Sequence, residues 1–591
     1  IEKRLPDGGM VSFSYDKVGN RTLAKNAAVT HTYEYDSLNR LTKVRDSRFS
    51  TPLTYAYDPV GNRTSLTDAE GLTTRYQHDE VDRLIRIEDP FGGQSQYAYD
   101  AAGRRMSRRS PNNVVSLYAY DAANRLTGLE TKHAMTDNQI DRFAYTYDRV
   151  GNRLTMTEPS GEHRYAYDAL DRLTEAAYPD GVSEAFTYDP VGNRLGKTDP
   201  AGATTYAYDA ANRLLQDDAT AYTYDATGNL FRSTIGAQSR TYRYDAEHRL
   251  LVVEEDGQPL ATYTYDATGR RIEKQLGAQR TRYLSDGAQL LTEYSATNAL
   301  KARYVSGPGL DEPLLMVRNG VFSYLHQDGL GSVTAATDAR GVLVESYRYR
   351  AFGEGTVLDP AGTVRATSSF QNPYRFTGRE LDAETGLYYY RQRYYAQTVG
   401  RFLTLDPFPG SPTRPATFHH YSYVENNPIN RVDPLGLRAE AAEPPSRLEN
   451  LQSHNTSGGG GGGGGPPPPG GGDREEDRRS IRAHPDVAEF LARRGFEHGP
   501  EETFARELKR GESVELFGGF TVTGRREADP IAGRARGTEV TVAPLGNEVY
   551  QFEASVRLTA TLGEHRTTIS NASFEYDPST RGVTIRGADI P

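Results

Sequence analysis

Residues 33–42 read Tyr33-Glu34-Tyr35-Asp36-Ser37-Leu38-Asn39-Arg40-Leu41-Thr42, and residues 55–63 read Tyr55-Ala56-Tyr57-Asp58-Pro59-Val60-Gly61-Asn62-Arg63. The two stretches are spellings of one phrase, which occurs thirteen times between Tyr15 and Asp266 (His78 replaces Tyr in one copy). One spelling has Gly three residues after the Asp, as in Asp16/Gly19, Asp148/Gly151 and Asp266/Gly269. The other has Asn, Asp or His there, as in Asp121/Asn124, Asp168/Asp171 and Asp245/His248. They alternate without a break, mostly 20–22 residues apart, so the full repeat is close to 42 residues. A fixed period of this length is the signature of a repeat architecture.

Each copy predicts a hairpin. Tyr-x-Tyr before the Asp has the period of a strand with both rings on one face. The Asp accepts from the backbone N–H groups that follow it and starts a turn. Three residues later the chain needs a left-handed conformation, which Gly adopts freely and Asn, Asp and His tolerate best. An Arg follows in most copies, then often Leu-Thr as the returning strand, and it can stack on a neighbouring Tyr ring. These Tyr and Asp residues read as scaffold, not as catalysts.

Composition narrows the rest. At 591 residues the chain holds several domains, yet only 36% of it is hydrophobic, with 40 Tyr and 58 Gly. Such strands cannot bury a thick aliphatic core on both faces, so sheets that curl on themselves are expected. With no Cys there is no disulfide, thiolate zinc site or thiol nucleophile. A net charge of −10 gives no bulk attraction to nucleic acid or anionic lipid. No apolar run has the length of a membrane span. Ile1 stands in mid-pattern, before Leu5-Pro6-Asp7-Gly8, as in a piece of a longer protein whose signal peptide or upstream domain is missing.

After residue 290 the phrase fades and a dense block follows. It contains Phe376-Thr377-Gly378-Arg379-Glu380, Gly386-Leu387-Tyr388-Tyr389-Tyr390-Arg391, Arg393-Tyr394-Tyr395, Gly400-Arg401-Phe402, Asp406-Pro407 and Asp433-Pro434-Leu435-Gly436-Leu437. Here the sequence closely resembles the Rhs family of YD-repeat proteins, over roughly residues 1–437. The resemblance implies a mainly β protein: hairpins spiralling into a hollow β-shell over 1–290, and a core-associated domain over 291–437 that plugs one end. It also implies self-cleavage by an aspartyl-protease-like reaction between Leu437 and Arg438. Asp406 and Asp433 would be its carboxylates and Arg393 the supporting cation. One departure concerns loop geometry: Ala396-Gln397 follow the Tyr pair where the family has Asp-Pro or a similar turn.

The chemistry is reasonable on its own terms. Peptide hydrolysis needs one ionised carboxylate to activate water and one carboxylic acid to protonate the carbonyl or leaving amine. Neighbouring aspartates share a proton and divide those roles, and an Arg keeps one of them charged. Taken singly, Asp406 and Asp433 would read as openers of Pro turns; their order within the block favours catalysis.

Residues 438–472, with Gly458 through Gly465 and Pro466 through Pro469, read as a tether. Residues 473–591 read as a small α+β domain. One helix runs from Pro485 with Val487, Phe490 and Leu491 on a face, and a second carries Phe504 and Leu508. Strands follow, the longest with Tyr550, Phe552, Ala554, Val556, Leu558, Ala560 and Leu562 on one side. In Rhs proteins this position carries an effector, often a toxin. No motif here names its activity. His484, His498, Arg506, Arg557, His565 and Arg566 would suit a metal-free ribonuclease, but 17 Lys/Arg against 21 Asp/Glu leave a net of −4 where a nuclease usually has a basic footprint.

The leading expectation is therefore a secreted or surface-exported bacterial toxin-delivery protein used in interbacterial competition. Its partners would be its own C-terminal domain inside the shell, an immunity protein, and a secretion-system or upstream delivery component. Nucleic acid would be a target only for a nuclease effector, and neither cofactor nor metal is called for. A second reading is a cell-surface adhesive or structural YD protein akin to teneurins, binding partner proteins or glycans. A third is the C-component of a multi-part insecticidal toxin complex.

Overall fold

The computed structural model describes residues 1–6, 8–411 and 414–442, and beyond them only strands between residues 497 and 586. The chain divides into two compact units, Ile1–Gly461 and Gly462–Pro591.

The first unit is built from two long antiparallel meanders, one of 20 strands from Glu2 to Thr205 and one of 17 from Ala207 to Arg365. Each strand pairs with the next in sequence. The turns behave as the phrase predicts. Asp36 Oδ1 accepts from the N–H groups of Leu38 and Arg40 at 2.9 Å, and Asn39, Asp82, Asn124, Asp171, Asn212 and His248 all have φ between 60° and 65°. Arg40 stacks over Tyr57 of the next copy at 5.0 Å and donates to Asp58 O, while Tyr57 Oη donates back to Leu41 O. Arg125 with Tyr147, and Arg172 with Tyr188, repeat this set.

The alternation of spellings has a structural cause that the sequence alone did not disclose. In five Gly copies the following Asn reaches the residue at the corresponding turn position one copy on. Asn20 donates to Asn39, Asn62 to Asp82, Asn152 to Asp171, Asn193 to Asn212 and Asn229 to His248, at 2.7–3.1 Å. The next residue points inward, and it alternates in kind. It is buried Leu in one spelling (Leu84, Leu126, Leu173, Leu250) and mostly buried Arg in the other (Arg105, Arg153, Arg194, Arg271), where Leu230 is the exception. The aliphatic side chains fill space; the arginines reach the second meander or the block behind it.

The second meander follows the first around. Asn26 donates to Tyr265 O, Arg48 to Ile272 O and Tyr283 O, Tyr55 to Asp286, Arg105 to Glu312, and Asn112 to Asp338 O. Partner numbers rise together, as they must when a strip winds over its own start. Burial between the layers is spread over several small clusters, such as Val11, Leu53 and Leu66 with Leu284, Leu291 and Tyr294, or Leu84 and Ile87 with Val305, Leu314 and Leu315.

The sheet does not stop where the phrase fades. Past residue 290 the Tyr is lost, but Asp328/Gly331, Asp338/Gly341 and Asp359/Gly362 close the same turn, each Gly N–H donating to the Asp carbonyl. A four-stranded sheet follows, Glu380–Asp382, Leu387–Tyr390, Arg393–Ala396 and Arg401–Phe402. Ala396-Gln397 still make a turn there, with Gly400 N–H donating to Ala396 O at 2.9 Å. This sheet packs Tyr388, Tyr390, Tyr395, Phe402 and Tyr423 into an aromatic cluster.

In the second unit a six-stranded antiparallel sheet runs Glu497–His498, Phe504–Leu508, Thr538–Gly546, Val549–Ala554, Ser573–Asp577, Gly582–Arg586. The expected second helix is corrected: Phe504–Leu508 is a strand paired with Thr538–Val542. A spacing of four puts Phe504 and Leu508 on one face of a helix, but four is also even, so it does the same in a strand. The expected long strand from Tyr550 is two, Val549–Ala554 in the six-stranded sheet and Leu558–Leu562 paired with His565–Ile569. The helix expected from Pro485 lies outside the described residues.

Candidate functional site

Three segments of the aromatic block converge. Arg393 starts the strand Arg393–Ala396, Asp406 lies in a loop whose N–H donates to His420 O, and Asp433 follows the short strand Arg431–Val432. The three side chains predicted as a set are in contact. Arg393 Nη2 is 2.7 Å from Asp406 Oδ2 and 3.1 Å from Asp433 Oδ2. One nitrogen bridging both oxygens places them within ~6 Å of each other, the range in which one carboxylate resists ionisation of the other. Arg393 is itself buried and fixed, with its guanidinium 3.6 Å from the centre of the Phe402 ring and Nη1 donating to His420 O at 3.0 Å.

Both carboxyls sit above their ordinary range. Burial pushes Asp406 up to about 6, against the pull of Arg393. Burial also raises Asp433, against Arg393 and two backbone N–H groups. Those two N–H groups define the site. Asp433 Oδ1 accepts from Leu437 N at 2.9 Å and from Arg438 N at 3.1 Å. The nitrogen of the Leu437–Arg438 peptide bond is thus within hydrogen-bond reach of a carboxyl whose hold on a proton burial strengthens.

The chain leading to that bond is held at three successive carbonyls. Arg391 donates to Pro434 O, the Gln392 N–H to Leu435 O at 3.2 Å, and Arg393 Nε to Gly436 O at 2.5 Å. Gly436 has φ +71, and a Cβ there would lie 2.4 Å from Tyr390 O. Only Gly fits. The roles of Arg391 and Gln392 escaped the sequence reading because they act through backbone groups 43 residues away.

Beyond the bond, Glu440–Ala441 pairs with Arg431–Val432 and Ala442 N–H donates to Asn430 O. The first residues of the expected tether are therefore a strand. Of the polar residues noted in the second unit, His498 and Arg506 lie in the six-stranded sheet, and His565 and Arg566 in the separate pair of strands. His484 and Arg557 lie outside the described residues.

Comparison with known proteins extends this picture. The Teneurin YD-shell family profile matches residues 9–162 and 152–429. Among curated relatives, the tRNA3(Ser)-specific nuclease WapA of Bacillus spizizenii is 36% identical over 151 residues, 26% of this chain and 6% of the relative. Toxin subunit YenC1 of Yersinia entomophaga is 36% identical over 20% of this chain and 12% of its own length. Toxin protein Tse5 of Pseudomonas aeruginosa is 33% identical over 20% and 8%. The chain thus spans a small part of the relatives it matches. A crystal structure of TcdB2-TccC3 without its hypervariable C-terminal region shares the fold, with a TM-score of 0.50 at 18% identity over 73% of this chain and 27% of that one.

Proposed function

The chain belongs to the teneurin YD-shell family as an Rhs-type YD-repeat protein, and from that premise we propose that it cuts itself between Leu437 and Arg438 to free a C-terminal effector held within its shell. The observation that carries the reading is the bridge of Arg393 between Asp406 and Asp433, with Asp433 also bonded to the nitrogen of that peptide bond. The pair shares one proton. One carboxylate draws a proton from water as it attacks the Leu437 carbonyl. The carboxylic acid supplies its proton to the departing Arg438 nitrogen, and a carboxyl and an amine result. Asp433 is the partner within reach of that nitrogen.

The wider role is toxin delivery, supported by the relatives whose names describe them as toxins or nucleases. The C-terminal unit is the cargo and this chain's first unit its container. Export, an immunity partner and action on competing bacteria belong to the same proposal. Inducible expression of residues 438–591 in bacteria, with growth followed, tests the cargo: slowed growth is expected, and unaffected growth with a demonstrably folded fragment would sink it.

A further inference from the structure

The scissile loop is anchored outside its own domain. Arg391, which donates to Pro434 O, is gripped by two turns of the second meander. Its Nε and Nη2 donate to Ala288 O at 3.1 and 3.0 Å, and it pairs with Asp311 at 2.6 Å. Arg391 stands in the left-handed region at φ +59, which a long side chain adopts only when its surroundings insist. Asp311 also pairs with buried Arg379.

Both supporting turns are tied to the first meander. Glu312, adjacent to Asp311, takes Arg105 at 2.6 and 3.2 Å. Asp286, two residues before Ala288, takes Arg63 at 2.5 Å and Tyr55 at 3.0 Å. Arg63 and Arg105 are inward arginines of Gly-spelled copies, so their partners reach them only once the strip has wound round.

We infer that Arg391 is a positioning residue for self-cleavage, and that the Asp311-Glu312 turn couples cleavage to closure of the shell. Glu312 engages the first meander, Asp311 engages Arg391, and Arg391 fixes the carbonyl three residues before the bond to be cut. In an unwound chain Arg393, Asp406 and Asp433 are present, but the loop has no fixed seat. The order of events protects the host, since the cargo is severed only after its container has closed. This inference rests on the self-cleavage proposed above.

The test follows cleavage of the full-length chain after pulse-labelling, on denaturing gels. Arg391→Lys keeps the charge but lacks the planar fork that meets Ala288 O, Pro434 O and Asp311 together. Asp311→Asn keeps the shape and removes the charge, and Asp311→Glu restores it. We expect Arg391→Lys and Asp311→Asn to slow the cut at least tenfold and Asp311→Glu to recover part of the rate, with Arg391→Lys and Asp311→Glu melting within a few degrees of the unaltered protein and Asp311→Asn, which also takes a carboxylate from buried Arg379, melting lower. Should a variant fail to fold, the other two decide. Folded Arg391→Lys and Asp311→Asn proteins that cut at the unaltered rate would overturn the coupling. Failure of the unaltered chain to cut at Leu437–Arg438, or cutting by Asp433→Asn, would instead overturn the self-cleavage reading.

Discussion

Replacing Gly436 with Ala tests whether loop geometry, and not only the carboxyl pair, controls the cut. The added methyl has two separable effects. At φ +71 an L-residue carries ~1–2 kcal/mol of backbone strain. Its Cβ would also stand 2.4 Å from Tyr390 O and 3.2 Å from Arg393 N, where ordinary contact begins near 3.4 Å. Both neighbours are backbone in the buried four-stranded sheet, so the loop itself must retreat by ~1 Å. A displacement of that size at a reacting centre costs ~100-fold in rate, or ~2.7 kcal/mol. Gly386→Ala is the control: its φ is +72 with no neighbouring atom within 4 Å, so it carries the strain without the collision. Pulse-labelled chains followed on denaturing gels should show Gly436→Ala cutting ~100-fold slower than Gly386→Ala. Equal rates would refute the claim that Gly436 seats the loop.

The cleavage rate should fall with rising pH. With Asp406 raised to about 6 and Asp433 also raised, the shared proton is lost above about pH 6, and the rate should then drop up to tenfold per unit; a rate that climbs from pH 6 to 8 would contradict a proton-sharing pair. By the same sign, the stabilisation that raised Asp406 gives the folded state is fully present below about pH 4 and lost as pH rises through 6. Glu312→Gln removes the carboxylate from fully buried Arg105 and should cost ~3–5 kcal/mol in denaturant unfolding. Tyr265→Phe loses the bond from Tyr265 Oη to Leu250 O at 2.7 Å and a long one to Tyr394 Oη at 3.5 Å, and should cost ~1 kcal/mol in the same assay. Small-angle scattering of the intact protein should give a compact particle with a low-density interior; a rod or flat plate would exclude a shell.

The turn chemistry was legible because it is local. Asp36 and Asn39 act within one hairpin, and the residue types that tolerate left-handed backbone are few. That Arg393, Asp406 and Asp433 would stand together was an expectation from the family resemblance of the block around them, and their side chains are in contact. What winding creates was not legible. The pairing of Arg105 with Glu312 and the grip of Asp311 on Arg391 join residues 207 and 80 apart, and nothing near either end announces the other. Alternation reports the face of a strand but not its partner, so Tyr550 to Leu562 read as one strand where the chain changes sheets. The alternating Leu and Arg after the turns was visible as letters, but its meaning needed the second layer.

The most direct measurement is the intact mass of the purified full-length protein beside its Asp433→Asn variant, under denaturing conditions. The unaltered protein should give two masses that divide the chain between Leu437 and Arg438 and together exceed the intact chain by one water. Asp433→Asn, which removes the acid bonded to the Arg438 nitrogen, should give a single uncut mass. Division at the same bond in the Asp433→Asn protein, or a single intact mass from the unaltered one, would contradict the account.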